Sequence, residues 1–306
     1  MTNLGAEEVR VSAPAKINLA LRVLAREDSG FHQLETLFCA VGFEDLLSLR
    51  LRGSGISLEI DGPDLGPIEE NLVYRAAEGF LALAGHQIGV EIQLTKRIPV
   101  QGGLGGGSSD AAATLKALNL LLPASVEDAD LVRLAGDLGA DVPFFLSGSP
   151  LALGWGRGDR LLPLPALPTL PVLLAIPPFG VSTPEAYRLL SEERSRRVEK
   201  HGSELYSLET FGSWDGIRIF ARNDFEGSVF GSAPLLKRLR EALSDTQPMM
   251  SLLSGSGSAL FAVFDDEGPA QRAAVSLKAA FPETSFILTH TRAGVQDPTL
   301  GGGVEE

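Results

Sequence analysis

Apolar and polar residues alternate in short runs through the first third of the chain. Val9–Ser12, Asn18–Leu24, Asp45–Leu51, Ile56–Ile60 and Val90–Thr95 carry the period of two that predicts strands, and Glu70–Ala84 carries the helical period. The pattern then shifts toward helices. Asp110–Leu122 is rich in alanine and leucine and predicts a helix, with Ser108 and Ser109 placed to cap its free backbone N–H groups and Pro123 to end it. Further helices are expected at Glu127–Leu138 and Ala186–His201. Between them Leu161–Ile176 holds prolines at 163, 165, 168 and 171 and reads as a linker leading into a strand. Beyond it, helices near Pro234–Ser244 and Gly268–Ala280 alternate with strands near Met250–Leu253, Ala259–Phe264 and Ser285–Thr289, which predicts a sheet covered on one face.

These elements predict an α+β protein of two domains, residues 1–166 and 167–290, with a cleft available between them, followed by a tail, 291–306, whose glycines and terminal acids predict mobility. A chain of 306 residues is long enough for two apolar cores. No internal repeat is present.

Charge narrows the possible ligands. With 39 acidic against 26 basic residues, the net charge of −13 opposes attraction to nucleic acid or anionic membranes, so an anionic ligand needs local help. The acidic start of the chain does not resemble a secretory signal, and Leu161–Ile176 is too short and too rich in proline to span a bilayer; a cytoplasmic protein is expected. The single cysteine, Cys39, has no intrachain disulfide partner and is expected to be packed, while four scattered histidines give no reason to expect a structural metal.

Local help is visible at Pro99-Val100-Gln101-Gly102-Gly103-Leu104-Gly105-Gly106-Gly107-Ser108-Ser109. Five glycines and two hydroxyls stand immediately before a predicted helix, so the backbone can approach a phosphate while unpaired N–H groups and the positive end of the helix dipole point at it. The plain alternative is a flexible glycine turn. A Walker A loop is excluded because Ser108 holds its lysine position; the dinucleotide fingerprint fails at the same serine, and Asp224-Phe225-Glu226 is not the Asp-Phe-Gly of protein kinases.

Two other segments accompany this loop: Ala13-Pro14-Ala15-Lys16-Ile17-Asn18-Leu19 near the start and Leu253-Ser254-Gly255-Ser256-Gly257-Ser258 near the end. In order and spacing the three resemble the motifs of the superfamily of galactokinase, homoserine kinase, mevalonate kinase and phosphomevalonate kinase (GHMP). The resemblance implies a two-domain α+β fold with ATP and substrate in the interdomain cleft. Gly30-Phe31-His32, Asn71-Leu72, Gly139-Ala140-Asp141-Val142-Pro143-Phe144 and Arg222-Asn223-Asp224-Phe225-Glu226 resemble the branch that acts on a small molecule carrying a cytidine diphosphate group. The implied activity is ATP-dependent phosphorylation of the 2-hydroxyl of 4-diphosphocytidyl-2-C-methyl-D-erythritol, with Mg²⁺, in non-mevalonate isoprenoid synthesis.

The same resemblance assigns roles. Lys16 and Asp141 are implied as the catalytic pair, Pro99 to Ser109 as the ATP loop, and Asn18, Phe31, His32 and Tyr187 as substrate residues. The chemistry agrees: an aspartate accepts a hydroxyl proton while a lysine neutralises charge, and aromatic faces stack on a base whose edge a histidine reads. The plain alternatives are a strand-end lysine, a helix-capping aspartate and aromatic rings packed in a core. Asn71 is either a polar contact or a cap, and Gly255 to Ser258 either forms a second glycine-rich turn that closes near the phosphates or supports the first loop, or makes a tight hairpin. Phe31 stands where the branch usually has tyrosine, which keeps the ring and loses a hydroxyl. Competing readings are another kinase of the superfamily, acting on mevalonate, homoserine or a sugar, and a nucleotide sensor without turnover. Gly30-Phe31-His32 argues against the first, retention of Lys16 and Asp141 against the second.

Overall fold

The computed structural model describes residues 8–27, 32–123, 125–195 and 207–301. Its first half rests on two long strands, β1 (Glu8–Arg26) and β2 (His32–Arg52), paired antiparallel. β3 (Ile56–Asp61) and β4 (Gly89–Thr95) lie parallel, as their connection through helix α1 (Leu72–Ala84) requires, and β4 pairs with β2. Asn71 starts α1 by accepting Val73 N–H at 2.9 Å, and Gly85 ends it in the left-handed conformation. Helices α2 (Gly106–Leu121), α3 (Asp128–Leu138) and α4 (Val142–Leu146) follow, and then β5 (Leu151–Gly156), which returns to β2, and β6 (Arg160–Pro163), which pairs with β5.

The second half contains β7 (Pro171–Ile176), α5 (Thr183–Ser195), α6 (Trp214–Phe220), β8 (Arg222–Asn223), α7 (Glu226–Ser232) and α8 (Pro234–Asp245). It closes with β9 (Met250–Leu253), β10 (Leu260–Val263), α9 (Glu267–Ala280), β11 (Ser285–His290) and β12 (Thr299–Gly301). The larger sheet has eight strands in the path β12-β1-β2-β4-β3, with β5 and β6 branching from β2 and β8 lying parallel to β1. The smaller, antiparallel sheet has four, in the order β11-β7-β10-β9.

Apolar residues form three cores. One, including Val9, Val11, Phe38, Phe80, Ala112 and Leu115, lies beneath α1, α2 and α3. A second joins Ile17, Leu19, Leu37 and Cys39 of the larger sheet to Val172, Leu174 and Phe261 of the smaller one. The third packs Leu173, Ala175 and Leu260 with Leu236, Leu239 and Leu277 of α8 and α9. Alternate residues of β7 thus enter different cores, and all of β7 is buried. The expectation of a sheet covered on one face is corrected: its second face is covered by the larger sheet, and burial on both sides removes the polar half of the alternation.

Several boundaries also move. The strands expected at 9–12 and 18–24 are parts of one strand, and the whole first half of β2 went unpredicted because Leu37 to Val41 are buried on both faces. At the pairing irregularity between Pro14 and Ala15, odd-numbered residues of β1 change cores, from Val9, Val11 and Ala13 to Ala15, Ile17 and Leu19. Lys16 and Asn18 stand opposite Ala40 and Phe38, so they share the face that looks toward α2. The helix expected over 186–201 is described as far as Ser195; its remainder lies outside the described residues. Of the tail, Thr299 to Gly301 pair with β1, and Arg292 N–H bonds to Ala40 O, so the described portion ties the end of the chain back to the first sheet.

Candidate active site

A cleft of about 1390 Å³ is lined by residues 99–108 of the glycine-rich loop, Lys16, Asn18 and Asp141 on one side and His32, Tyr187 and Gly255 on others. The loop leads directly into α2, which begins at Gly106 rather than at the expected Asp110. Ser108 and Ser109 are therefore inside the first turn and make no cap hydrogen bond; Gly105 occupies the cap position. Ser109 N–H bonds to Gly105 O at 2.9 Å, whereas the amides of Gly106, Gly107 and Ser108 precede the first intrahelical bond, which leaves them for an anion at the cleft. Ser108 lines the cleft, whereas Ser109 is turned inward, 1% exposed, with no hydrogen-bond partner on its hydroxyl.

The loop's carbonyls are occupied from behind. Gln101 O accepts from Val181 N and Ser258 N, Gly102 O from Ala259 N, and Gly103 O from Ser254 Oγ at 2.9 Å. Lys16 N bonds to Leu104 O at 2.9 Å. A Cβ on Gly103, whose φ is +73°, would lie 2.0 Å from Ser254 O, so backbone packs on backbone there and only glycine fits. The second glycine turn, over residues 254–258, thus supports the first, while it also joins the antiparallel strands β9 and β10.

Lys16 and Asp141 meet at this point. Lys16 Nζ lies 3.5 Å from Asp141 Oδ2, with the lysine side chain 4% exposed and the aspartate 32%. The lysine donates to Asn18 Oδ1 at 2.7 Å, Asn18 Nδ2 donates to Thr36 Oγ1 at 2.7 Å, and Thr36 Oγ1 donates to Ala20 O at 2.8 Å. This buried chain fixes the ammonium. Asp141 stands just before α4, yet its side chain makes no cap hydrogen bond, so its carboxylate is turned to the lysine rather than spent on the helix. The strand-end and helix-cap alternatives both fail on this geometry, while Asn71 does act as a cap.

At the other side of the cleft the rings of His32 and Tyr187 stack, with centroids 4.3 Å apart and planes 15° from parallel. Tyr187 meets Phe225 edge-on at 4.9 Å. Burial, assisted by the charge of Asp141, pushes the Tyr187 phenol up to about 12, so it stays protonated and able to donate. Phe31 lies outside the described residues.

Sequence reasoning missed a second lysine at the cleft. Lys96 lines it and pairs with two buried carboxylates, Asp110 at 2.8 Å and Asp45. Asp45 also accepts the backbone N–H groups of Arg97 and Ile98, which fixes the approach to the loop. Burial, with the charge of Asp45, pushes Asp110 up to about 8 against the opposing pull of Lys96. The available signal was a strand ending in a lone lysine before the loop, with Asp110 following the two serines.

Among the described residues no group of three or more histidines, cysteines and acids is placed to hold a metal ion, and no helix is long and apolar enough to cross a membrane.

Comparison with known proteins identifies the relatives of the chain. Residues 71–149 match the family described as GHMP kinases N terminal domain, and residues 207–283 match GHMP kinases C terminal. The chain is 40% identical to the 4-diphosphocytidyl-2-C-methyl-D-erythritol kinase of Deinococcus radiodurans, over 94% of this chain and 95% of that one. It is 42% identical to the Thermus thermophilus protein of the same name, over 87% and 92%. A crystal structure of 4-(cytidine 5'-diphospho)-2C-methyl-D-erythritol kinase superposes with a TM-score of 0.76 at 39% identity, covering 96% of this chain and all (100%) of the other. A homoserine kinase from Cytophaga hutchinsonii, at 22% identity and a TM-score of 0.74, shares the fold.

Proposed function

The chain belongs to the GHMP kinases, in the 4-diphosphocytidyl-2-C-methyl-D-erythritol kinase branch, and from that premise we propose how its cleft carries out the reaction. It is an enzyme that phosphorylates a small molecule at the expense of ATP, in the non-mevalonate route to isoprenoid precursors. The observation that carries the assignment of roles is the Lys16–Asp141 pair, 3.5 Å apart and open to the cleft beside the glycine-rich loop.

In the proposed mechanism the phosphates of ATP rest on the backbone from Pro99 to Ser108 and on the first-turn amides of α2, whose dipole supplies the attraction that an acidic protein lacks. Lys16 neutralises charge as the phosphoryl group passes to the substrate's 2-hydroxyl, and Asp141 accepts the hydroxyl proton. Because the transition state is loose, placement and charge matter more than early deprotonation, and the Asn18–Thr36 chain contributes by fixing the ammonium of Lys16. Ser109 faces away from the cleft, so Ser108 is the loop hydroxyl that would hold Mg²⁺. A cation of this kind keeps most of its waters and needs no cage of carboxylates. When bound it would neutralise charge developing between the phosphates.

The cytidine group of the substrate lies, in this reading, against His32 and Tyr187, the histidine exchanging hydrogen bonds with the pyrimidine edge and the rings stacking. Phe31 is proposed to add a face. Division into domains near residue 166 and a cytoplasmic location belong to the same reading.

ADP release from Mg-ATP tests the assignment with a panel of the cytidyl substrate, mevalonate, homoserine and galactose. Turnover of the cytidyl compound alone is expected; turnover of another member in its place overturns it. His32→Ala is expected to raise KM for the cytidyl substrate about tenfold with ATP affinity unchanged, and a defect confined to ATP contradicts the base assignment.

A further inference from the structure

The segment Arg222–Glu226 helped to mark the branch in the sequence, but it belongs neither to the glycine-rich loop nor to the catalytic pair. Asn223, 6% exposed, uses its whole amide: Nδ2 donates to Leu253 O at 2.7 Å and to Gly255 O at 2.8 Å, and Oδ1 accepts Phe225 N–H at 2.9 Å. Glu226 holds the same turn by accepting Leu253 N–H at 2.8 Å. The held residue is critical in position, because a Cβ on Gly255 would stand 3.2 Å from Lys16 Nζ and 3.1 Å from Gly103 O. Where this turn sits fixes the space above the lysine and behind the phosphate loop.

The next two residues act in another direction. Asp224 Oδ2 accepts Val23 N–H at 2.9 Å and Arg194 Nη2 at 2.8 Å, while Asp224 N–H bonds to Leu21 O at 3.0 Å. These contacts join β1 to α5, the helix that bears Tyr187. Phe225 is 2% exposed and presses edge-on against Tyr187, which itself stacks on His32. Such an edge-to-face contact sets the plane of the ring it meets.

We propose that Arg222–Glu226 is a positioning segment with two separable outputs. Asn223 sets the second glycine turn beside Lys16 and so governs the rate of phosphoryl transfer; Phe225 sets Tyr187 against His32 and so governs affinity for the base-bearing substrate. The inference rests on the proposed roles of Lys16 and of the His32–Tyr187 pair.

Steady-state kinetics of the full chain with Mg-ATP and the cytidyl substrate separate the two outputs. The wild type is measured first, since its failure to turn over this substrate would count against the kinase reading rather than against the segment. Asn223→Asp turns a carboxylate toward two carbonyls; a kcat loss of about 100-fold with KM for the cytidyl substrate within about threefold is expected, the scale of a small misplacement of reacting groups. Phe225→Leu is expected to do the reverse, raising that KM about tenfold with kcat within about threefold. Leu243→Ala, in the core beneath α8, lowers the melting temperature without moving either parameter. Both variants shifting the same parameter, either one matching Leu243→Ala, or both matching the wild type would overturn the proposal. Should Asn223→Asp not fold, Asn223→Ser removes the same two bonds without adding charge. A kcat loss of about tenfold at unchanged KM then supports the proposal, and wild-type kcat overturns it.

Discussion

Lys16 and Lys96 both reach the cleft, and both are paired with aspartates, yet the two groups are built differently. Lys16 is buried, but its partner Asp141 is 32% exposed and its second polar contact is the neutral amide of Asn18. Lys96 is enclosed by Asp45 and Asp110, whose side chains are 0% and 3% exposed. The open pair leaves a carboxyl oxygen facing the cleft. The closed group commits both carboxylates to one ammonium and, through Asp45, to the backbone entering the glycine-rich loop. A lysine–aspartate contact alone therefore does not separate the two groups; access of one partner to the cleft does, and the proposed catalytic role rests on that difference.

Substitution should separate the two groups by what is lost. Lys16→Met is expected to lower kcat by about 10³-fold, a loss of transition-state charge stabilisation, while the melting temperature stays within a few degrees of the wild type. A variant that kept kcat would place the chemistry elsewhere. Lys96→Met leaves the buried acids Asp45 and Asp110 without their cation, so stability should fall by about 3–5 kcal/mol, read by urea unfolding. An unchanged midpoint would show that the closed group is not structural.

A pH-dependent effect comes from the proton on Asp110. Its carboxyl is raised from the ordinary 3.8 to about 8, so the folded protein holds a proton that the unfolded chain releases. Stability from this site is thus lost as pH rises between about 4 and about 8, and levels off above. Asp110→Asn has no such proton. Its melting temperature is expected to change less between pH 5 and pH 8 than that of the wild type, and parallel curves would contradict the shared burial.

Features carried by neighbouring residues were legible in the sequence. Five glycines ahead of an alanine-rich helix announce a loop that opens a helix at the cleft, because the relevant groups are local backbone amides. Lys16 and Asp141, 125 positions apart, were found through motif resemblance and not through any periodicity. What stayed hidden depends on partners far along the chain. Asn223 bonds to residues 30 and 32 positions away, and Asp45 to Lys96 at 51, so neither role is written near its own position. Strand patterns failed where both faces are buried, as in the first half of β2. Ser108 and Ser109 were misplaced as caps because glycine is a poor helix former, yet Gly106 lies within α2, where a Cβ would meet Ile98 and Lys96.

Asp141→Asn tests most directly that the open pair carries the chemistry. With Mg-ATP and the cytidyl substrate, kcat is expected to fall by about 10²–10⁴-fold while calorimetric affinity for ATP stays within about threefold. A kcat close to that of the wild type, or a loss confined to ATP binding, would contradict it.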